Sequence, residues 1–414
     1  MKNHPINLGL SPNTESDDVA LAARLLRKPA SWLEGGAVGE LENEVKNLTG
    51  VKHALAFRSG RSALYAIFSS LGLKTGDEVL LQSFTCVAVP NAAIWAGLKP
   101  VYVDIGNDFN MSPDDLAKKI SSKSKALIIQ HTFGLPADMD SLLAVARERK
   151  LIVIEDCAHS LGAEYKGRQT GTMGDFAIFS FGRDKTISSV FGGIAAARDE
   201  ASAEKICAIR DKSPLPRASW VRQQLRHPVL MNGFVLPNYS RLDIGKMILE
   251  AAKRMGLMSK AVYPEERLGQ KAESVLGRMP NALALLALSQ LKKLDRFNEH
   301  RRKIVALYAE RLTEANLPIE LPKVGETCLR YSIKTDKASE LIKTSRTRNI
   351  LLDNWYNPAI APSGTDYSAI HYRPESCPNA ERISKLVVNL PTNINTSEED
   401  AEKVIRLIKD VCGN

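Results

Sequence analysis

The chain predicts an α/β protein built on a mostly parallel sheet that is buried on both faces. Two observations carry this. Short, near-continuous runs of Val, Ile and Ala alternate with amphipathic segments from about Glu40 to Gly193, the pattern of strands covered by helices on both sides. The unusual polar residues fall just past the apolar runs, at Ser59-Gly60-Arg61, Asp156 to His159 and Ser180 to Lys185. Open parallel sheets bind ligands there, beyond the carboxyl ends of their strands.

The elements follow in order. "HALAFRSG" reads as a strand running into a loop, and "RSALYAIFSSLGL" as the helix after it. "DEVLLQSF" and "KPVYVDI" are strands separated by the helix "VAVPNAAIWAGL". "SPDDLAKKIS" and "DMDSLLAVARERK" are helices on either side of the strand "KALIIQHTFG". "LIVIEDCAHS" is a strand ending in a loop, and "FAIFSFG" is the last strand of the run. Residues 207–268 break the alternation and predict an inserted helical region with loops. Residues 281–312 predict one long linking helix into a smaller C-terminal α/β unit. Ser397 and the acidic residues after it mark the start of a closing amphipathic helix. These readings divide the chain into a large domain over 1–265 and a linker helix with a small domain over 266–414.

At 414 residues, with 44% hydrophobic and 25% charged residues, the chain suits a soluble globular protein of two or three units. It holds no run of about 18 apolar residues, and its first residues lack the apolar stretch of a secretory signal. Six scattered cysteines, without paired or metal-ligand spacing, read as reduced thiols and point to the cytoplasm. The net charge is +9, and residues 207–268 alone carry 11 Lys/Arg against 5 Asp/Glu. Such a basic surface suits anionic substrates or an anionic membrane. Without a nucleic-acid motif, it does not predict nucleic-acid binding.

Three short stretches could carry chemistry. Asp156 ends an apolar strand, where an unpaired carboxylate is costly. It either caps the following helix or faces a cation such as the protonated pyridine nitrogen of pyridoxal 5′-phosphate (PLP). His159, three residues on, could lie against a ring or serve the fold. Lys185 follows Ser180 by five residues and precedes Gly192-Gly193. It is either a solvated loop lysine or a buried Schiff-base lysine, with Ser180 as a phosphate donor and the glycines allowing close backbone approach or a sharp turn. "FRSGRSAL" is a strand–glycine–helix junction. The free amides of a helix N-terminus bind anions, and Arg61 adds a guanidinium; an ordinary tight turn is the alternative.

The order and spacing of these elements resemble the fold-type I PLP enzymes, and more narrowly the DegT/DnrJ/StrS-type sugar aminotransferases. The resemblance runs through "GGAVGELENEVKNLTGVKHALAFRSGRSAL", "HTFGLPADMD", "IEDCAHSLGAEYKGRQTGTMGDFAIFSF", the Lys185 loop, "ALSQLKKLDRFNEHR" and "VVNLPTNINTSEEDAEKVIRLI". It implies a large domain with a seven-stranded-type sheet and a smaller C-terminal α/β domain. Lys185 would bind the PLP aldehyde and shuttle the reaction proton, and Asp156 would keep the pyridine nitrogen protonated. His159 would contact the ring, while Ser180 and the Gly60-Arg61 backbone would hold the phosphate. The family implies a homodimer with shared active sites.

Three positions depart from the family pattern. Arg61 stands where a threonine is common, so its guanidinium would replace a hydroxyl on the phosphate. Cys86 takes the place of an aromatic ring that stacks on PLP. Leu276 replaces an asparagine that reaches the neighbouring subunit's phosphate. The function implied is transfer of an amino group from glutamate or glutamine to a nucleotide-linked keto-sugar in polysaccharide or amino-sugar biosynthesis. A sugar dehydratase of the same family is disfavoured, because such enzymes replace the lysine with histidine. A scaffold that keeps the fold without turnover remains the alternative.

Overall fold

The computed structural model describes residues 4–239, 243–272, 276–322 and 328–413. Its centre is a sheet of seven strands, here named β1 (His53–Phe57), β2 (Glu78–Gln82), β3 (Lys99–Val103), β4 (Ser124–Gln130), β5 (Ile152–Asp156), β6 (Phe176–Ser180) and β7 (Gly193–Ala197). Their spatial order is β1-β7-β6-β5-β4-β2-β3. All run parallel except β7, which is antiparallel to both of its neighbours. The predicted alternation therefore continues one strand further than Gly193. Gly193 pairs with Ser180 on one side and Phe57 on the other, so it opens a strand instead of turning the chain away.

The strands are buried almost throughout, with β2 and β7 enclosed along their whole length. Their runs of Val, Ile, Leu and Ala are what a sheet covered on both faces requires. The helices α1 (Ser16–Leu26), α2 (Ala37–Thr49), α3 (Gly60–Ser70), α4 (Ala88–Trp95), α5 (Pro113–Lys119), α6 (Met139–Glu148) and α7 (Glu200–Lys212) supply the cover. Each crossover returns the chain to the same end of the sheet. The carboxyl ends of β1, β5 and β6 thus meet the start of β7 at one edge.

The inserted region is helical, as its composition predicts: α8 (Ala218–Leu230), the helical turns Met231–Val235 and Leu236–Asn238, α9 (Ile244–Arg254) and the short α10 (Pro264–Arg267). The long helix expected over 281–312 is two helices, α11 (Asn281–Leu291) and α12 (Leu294–Glu314). The Lys293 ammonium turns towards the start of α1, where it lies 2.7 Å from Asp17 and 2.9 Å from Asp18. α11 is apolar on nearly every side and packs into the same core as α2, β1 and β7. α12 continues towards the C-terminal unit.

That unit pairs β8 (Arg330–Lys334) antiparallel with β9 (Val387–Pro391). α13 (Ala338–Thr347), α14 (Pro378–Leu386) and α15 (Glu398–Cys412) complete it. Ser397 caps α15 by accepting from the Asp400 amide, as the sequence predicts. Ile6–Asn7 pairs with Ile350–Leu351, tying the amino-terminal segment to this unit.

Candidate active site

The site is assembled where β1, β5, β6 and β7 meet. The cleft there has a volume of about 270 Å³ and is lined by Gly60, Arg61, Cys86, Asp156, His159, Ser180 and Lys185, seven residues singled out in the sequence.

Its floor is the junction of β1 and α3. Ser59 caps α3, its hydroxyl accepting from the Ser62 amide at 3.1 Å, so the amides of Gly60 and Arg61 stand at the open end of the helix. A Cβ on Gly60 would lie 3.0 Å from the Ser180 Cβ and 3.1 Å from its Oγ. A Cβ on Gly193 would lie 2.5 Å from the Gly60 nitrogen and 2.7 Å from the Ser59 carbonyl carbon. Gly193 is therefore required for space and Gly60 leaves little, and they bring helix start, Ser180 and β7 into one tight cradle.

Asp156 is 4% exposed at the end of β5, and its Oδ1 accepts from the Ala158 amide at 3.0 Å. Burial pushes its carboxyl above the ordinary aspartate range, against the pull of that amide and of the Lys185 charge. Strand alternation sends its neighbour Glu155 to the opposite face. There Glu155 meets His131 at 3.1 Å and accepts from the amides of Gly171, Met173 and Gly174, a structural role that leaves the cleft to Asp156.

Lys185 Nζ lies 2.9 Å from His159 Nε2 and 5.3 Å from the centre of the Trp355 ring. His159 Nδ1 accepts from the Phe133 amide at 3.3 Å, and the Tyr356 hydroxyl lies 3.4 Å from Nε2. Burial, then the charges of Lys185 and Arg330, hold the ring's pKa well below the usual histidine value. The imidazole is thus neutral.

The lysine loop is fixed from behind. Asn13 Nδ2 donates to the Lys185 carbonyl at 2.6 Å, and the buried Arg301 donates to the Thr186 carbonyl at 2.7 Å. From the C-terminal unit, Arg330 pairs with Asp184 at 2.8 Å and lies 4.1 Å from the centre of the Trp355 ring.

One expectation changes, that for Arg61. The Arg61 guanidinium is occupied: it pairs with the fully buried Glu266 of α10 and donates to the Ala261 carbonyl at 2.7 Å. It anchors the insertion against α3, so only its amide faces the cradle. Cys86 lines the cleft in a short parallel pairing with Ala361, whereas Phe84 is fully buried among Phe109, Phe133 and Tyr356. Leu276 is buried and does not line the cleft. The adjoining Gly277 exchanges hydrogen bonds with Ser62 and accepts from the Arg58 amide, bracing the start of α3.

The sequence reading missed Arg183, Trp355 and Tyr356. Arg183 lines the cleft and bonds the Ser259 hydroxyl, but its buried Nε has no hydrogen-bond partner among the described residues. Burial brings its pKa down to about 10. Trp355 and Tyr356 come from "DNWYNP", whose density of aromatic and amide side chains was the available signal.

These residues fit PLP. A cradle of helix amides and a serine hydroxyl, kept open by two glycines, matches a phosphate dianion. A buried carboxylate, forming no ion pair with Lys or Arg among the described residues, matches a pyridinium N–H.

Comparison with known proteins agrees. The chain is 29% identical over 392 residues to the GDP-perosamine synthase of Caulobacter vibrioides, covering 92% of each chain. It is 27% identical to the UDP-N-acetyl-3-dehydro-alpha-D-glucosamine 3-aminotransferase of Acidithiobacillus ferrooxidans, covering 95% of this chain and 93% of that one. Its fold is like that of Helicobacter pylori PseC, an aminotransferase involved in the biosynthesis of pseudoaminic acid, with a TM-score of 0.76 at 19% identity over 99% of both chains. Residues 13–233 and 247–409 match the model of the DegT/DnrJ/EryC1/StrS aminotransferase family, and the chain belongs to that family of PLP-dependent aminotransferases.

Proposed function

We propose that the protein transfers an amino group from glutamate or glutamine to the keto carbon of a nucleotide-linked sugar, in the making of an amino-sugar for a surface or secreted polysaccharide. The observation that carries this reading is the convergence of Lys185, Asp156 and the Gly60–Arg61 amides on one cleft. Bound there, the pyridoxal ring supplies an electron sink for the carbon that loses or gains a proton.

The chain's residues would do the rest. The amides of Gly60 and Arg61 and the Ser180 hydroxyl hold the phosphate. Asp156 holds a proton on the ring nitrogen through its buried carboxylate. Lys185 Nζ takes the proton from the donor's Cα and returns it on the sugar side, so one lysine serves both half-reactions. His159, neutral and fixed by the Phe133 amide, orients the lysine. Trp355 and Tyr356 exclude water from above.

The substrate class rests on the perosamine and 3-aminoglucosamine relatives and on Arg183. Arg183 lines the cleft wall, and a guanidinium suits a diphosphate or a donor carboxylate. The reading includes a homodimer, in which partner residues complete each cleft, and a cytoplasmic location. In keeping with the latter, no described helix is long and apolar enough to cross a membrane, and the six cysteines are free.

The test is a half-reaction assay. The PLP form mixed with glutamate or glutamine should convert to the pyridoxamine form, and a nucleotide keto-sugar should convert it back. Conversion by the amino acid without return by any keto-sugar in a broad panel would defeat the sugar assignment.

A further inference from the structure

The strongest unexplained feature lies outside the cleft, on the inserted region. Among the described residues, the large apolar side chains that stand exposed are Phe234, Ile244, Met247, Met255 and Leu268. All belong to the insertion, which also carries +6 of the chain's net charge of +9. Met247 is 68% exposed and Met255 65%, far beyond what isolated surface methionines need explaining.

α9 organises them. Ile244, Met247, Ala251 and Met255, spaced by three, four and four residues, form one exposed stripe. Ile248, Leu249 and Ala252 form a second face that packs on Met231, Val235 and Leu236. Lys246, Lys253 and Arg254 occupy the third, with Glu250 the one acidic residue between Ile244 and Arg254. The helix is held firmly: a Cβ on Gly245 would lie 2.3 Å from the Val235 carbonyl oxygen, so two backbones meet directly there. Lys246 pairs with Asp243 and Arg254 with Glu250, but both pairs are exposed and are screened by water.

We propose that this face, α9 with Phe234 beside it, docks the enzyme on an anionic lipid surface. The apolar stripe suits the boundary between headgroups and acyl chains, and the flanking cations suit the phosphates. A second copy of the chain fits less well, because two-fold pairing through this face would set its positive excess against itself. The insertion's inner side reaches the cleft through Ala261 and Val262, and Gln224 and Ser259 connect it to Arg183. Docking would therefore hold the cleft close to the membrane.

The experiment is co-sedimentation of the full-length, PLP-loaded protein with vesicles. One set is phosphatidylcholine alone, and the other contains about a third phosphatidylglycerol. Binding to the anionic vesicles only, weakened by salt, is expected. Met247→Gln with Met255→Gln should reduce it at least tenfold, and Lys246→Glu with Lys253→Glu should cost roughly fivefold per charge. The donor half-reaction and the circular dichroism of these variants should match the parent, showing that the fold survives. Failure to bind anionic vesicles overturns the proposal. So does a methionine pair that turns a dimer into a monomer while vesicle binding is unmoved, which would assign the stripe to a second copy.

Discussion

Gly193→Ala should weaken cofactor binding from a position that need not touch the cofactor. The added Cβ would lie 2.5 Å from the Gly60 nitrogen and 2.6 Å from its Cα, where ordinary contact begins at 3.4 Å. Neither β7, paired on both sides, nor the backbone of α3 can yield cheaply. The first turn of α3 must therefore retreat by about 0.9 Å, the difference between those distances. Overpacking of this kind costs about 1–3 kcal/mol of stability. The amides of Gly60 and Arg61 retreat with the turn. Losing one hydrogen bond to a charged phosphate costs about 1.5–3 kcal/mol, or roughly 10- to 150-fold in affinity. Titration of the cofactor-free variant with PLP, followed by fluorescence, reads this directly. Gly39→Ala is the comparison: Gly39 is exposed within α2, with nothing within 4 Å of a new Cβ. It should leave cofactor affinity alone and stabilise the protein by about 0.5–1 kcal/mol. A Gly193→Ala protein that binds PLP as tightly as the parent would refute the cradle.

Other expectations follow from the same geometry. Arg61→Ala strands the buried Glu266 carboxylate, so chemical denaturation should show a loss of about 3–5 kcal/mol. Adding Glu266→Gln should recover part of it, and recovery of nothing would mean the pair is not what holds the insertion. His159 and His227 are both buried, with pKa values held well below 6.5. Each is neutral in the fold and takes up a proton on unfolding below that pH. Stability of the cofactor-free protein is therefore full above about pH 6.5 and falls beneath it, by up to about 1.4 kcal/mol per pH unit for each histidine. Asp156, whose pKa is raised, acts in the opposite sense above about pH 3.8. Thermal melts across pH 5 to 7 should flatten in His227→Gln; an unchanged slope would contradict the assignment.

Much of the fold was legible because parallel strands covered on both sides leave a plain apolar signature. The candidate site was legible because Asp156 and Ser180 end strands and Lys185 follows shortly after, where local sequence decides placement. β7 was not legible, since "GGIAAA" is short and small-residued, and its glycine is explained only by the approach of Gly60. The break between α11 and α12 was not legible, because no Pro or Gly marks it and the chain there reads Leu291-Lys292-Lys293-Leu294. Arg61 is the clearest case. Its type and position fit a phosphate, yet Glu266, some two hundred residues on, takes its charge. Trp355, Tyr356 and Arg330 reach the site through tertiary folding alone.

The most direct test of the central claim is to reduce the PLP-loaded protein with borohydride and map the modified peptide by mass spectrometry. The account predicts a phosphopyridoxyl group on Lys185, absent from Lys185→Ala. A label on another lysine, or none on a protein that retains PLP, would contradict it.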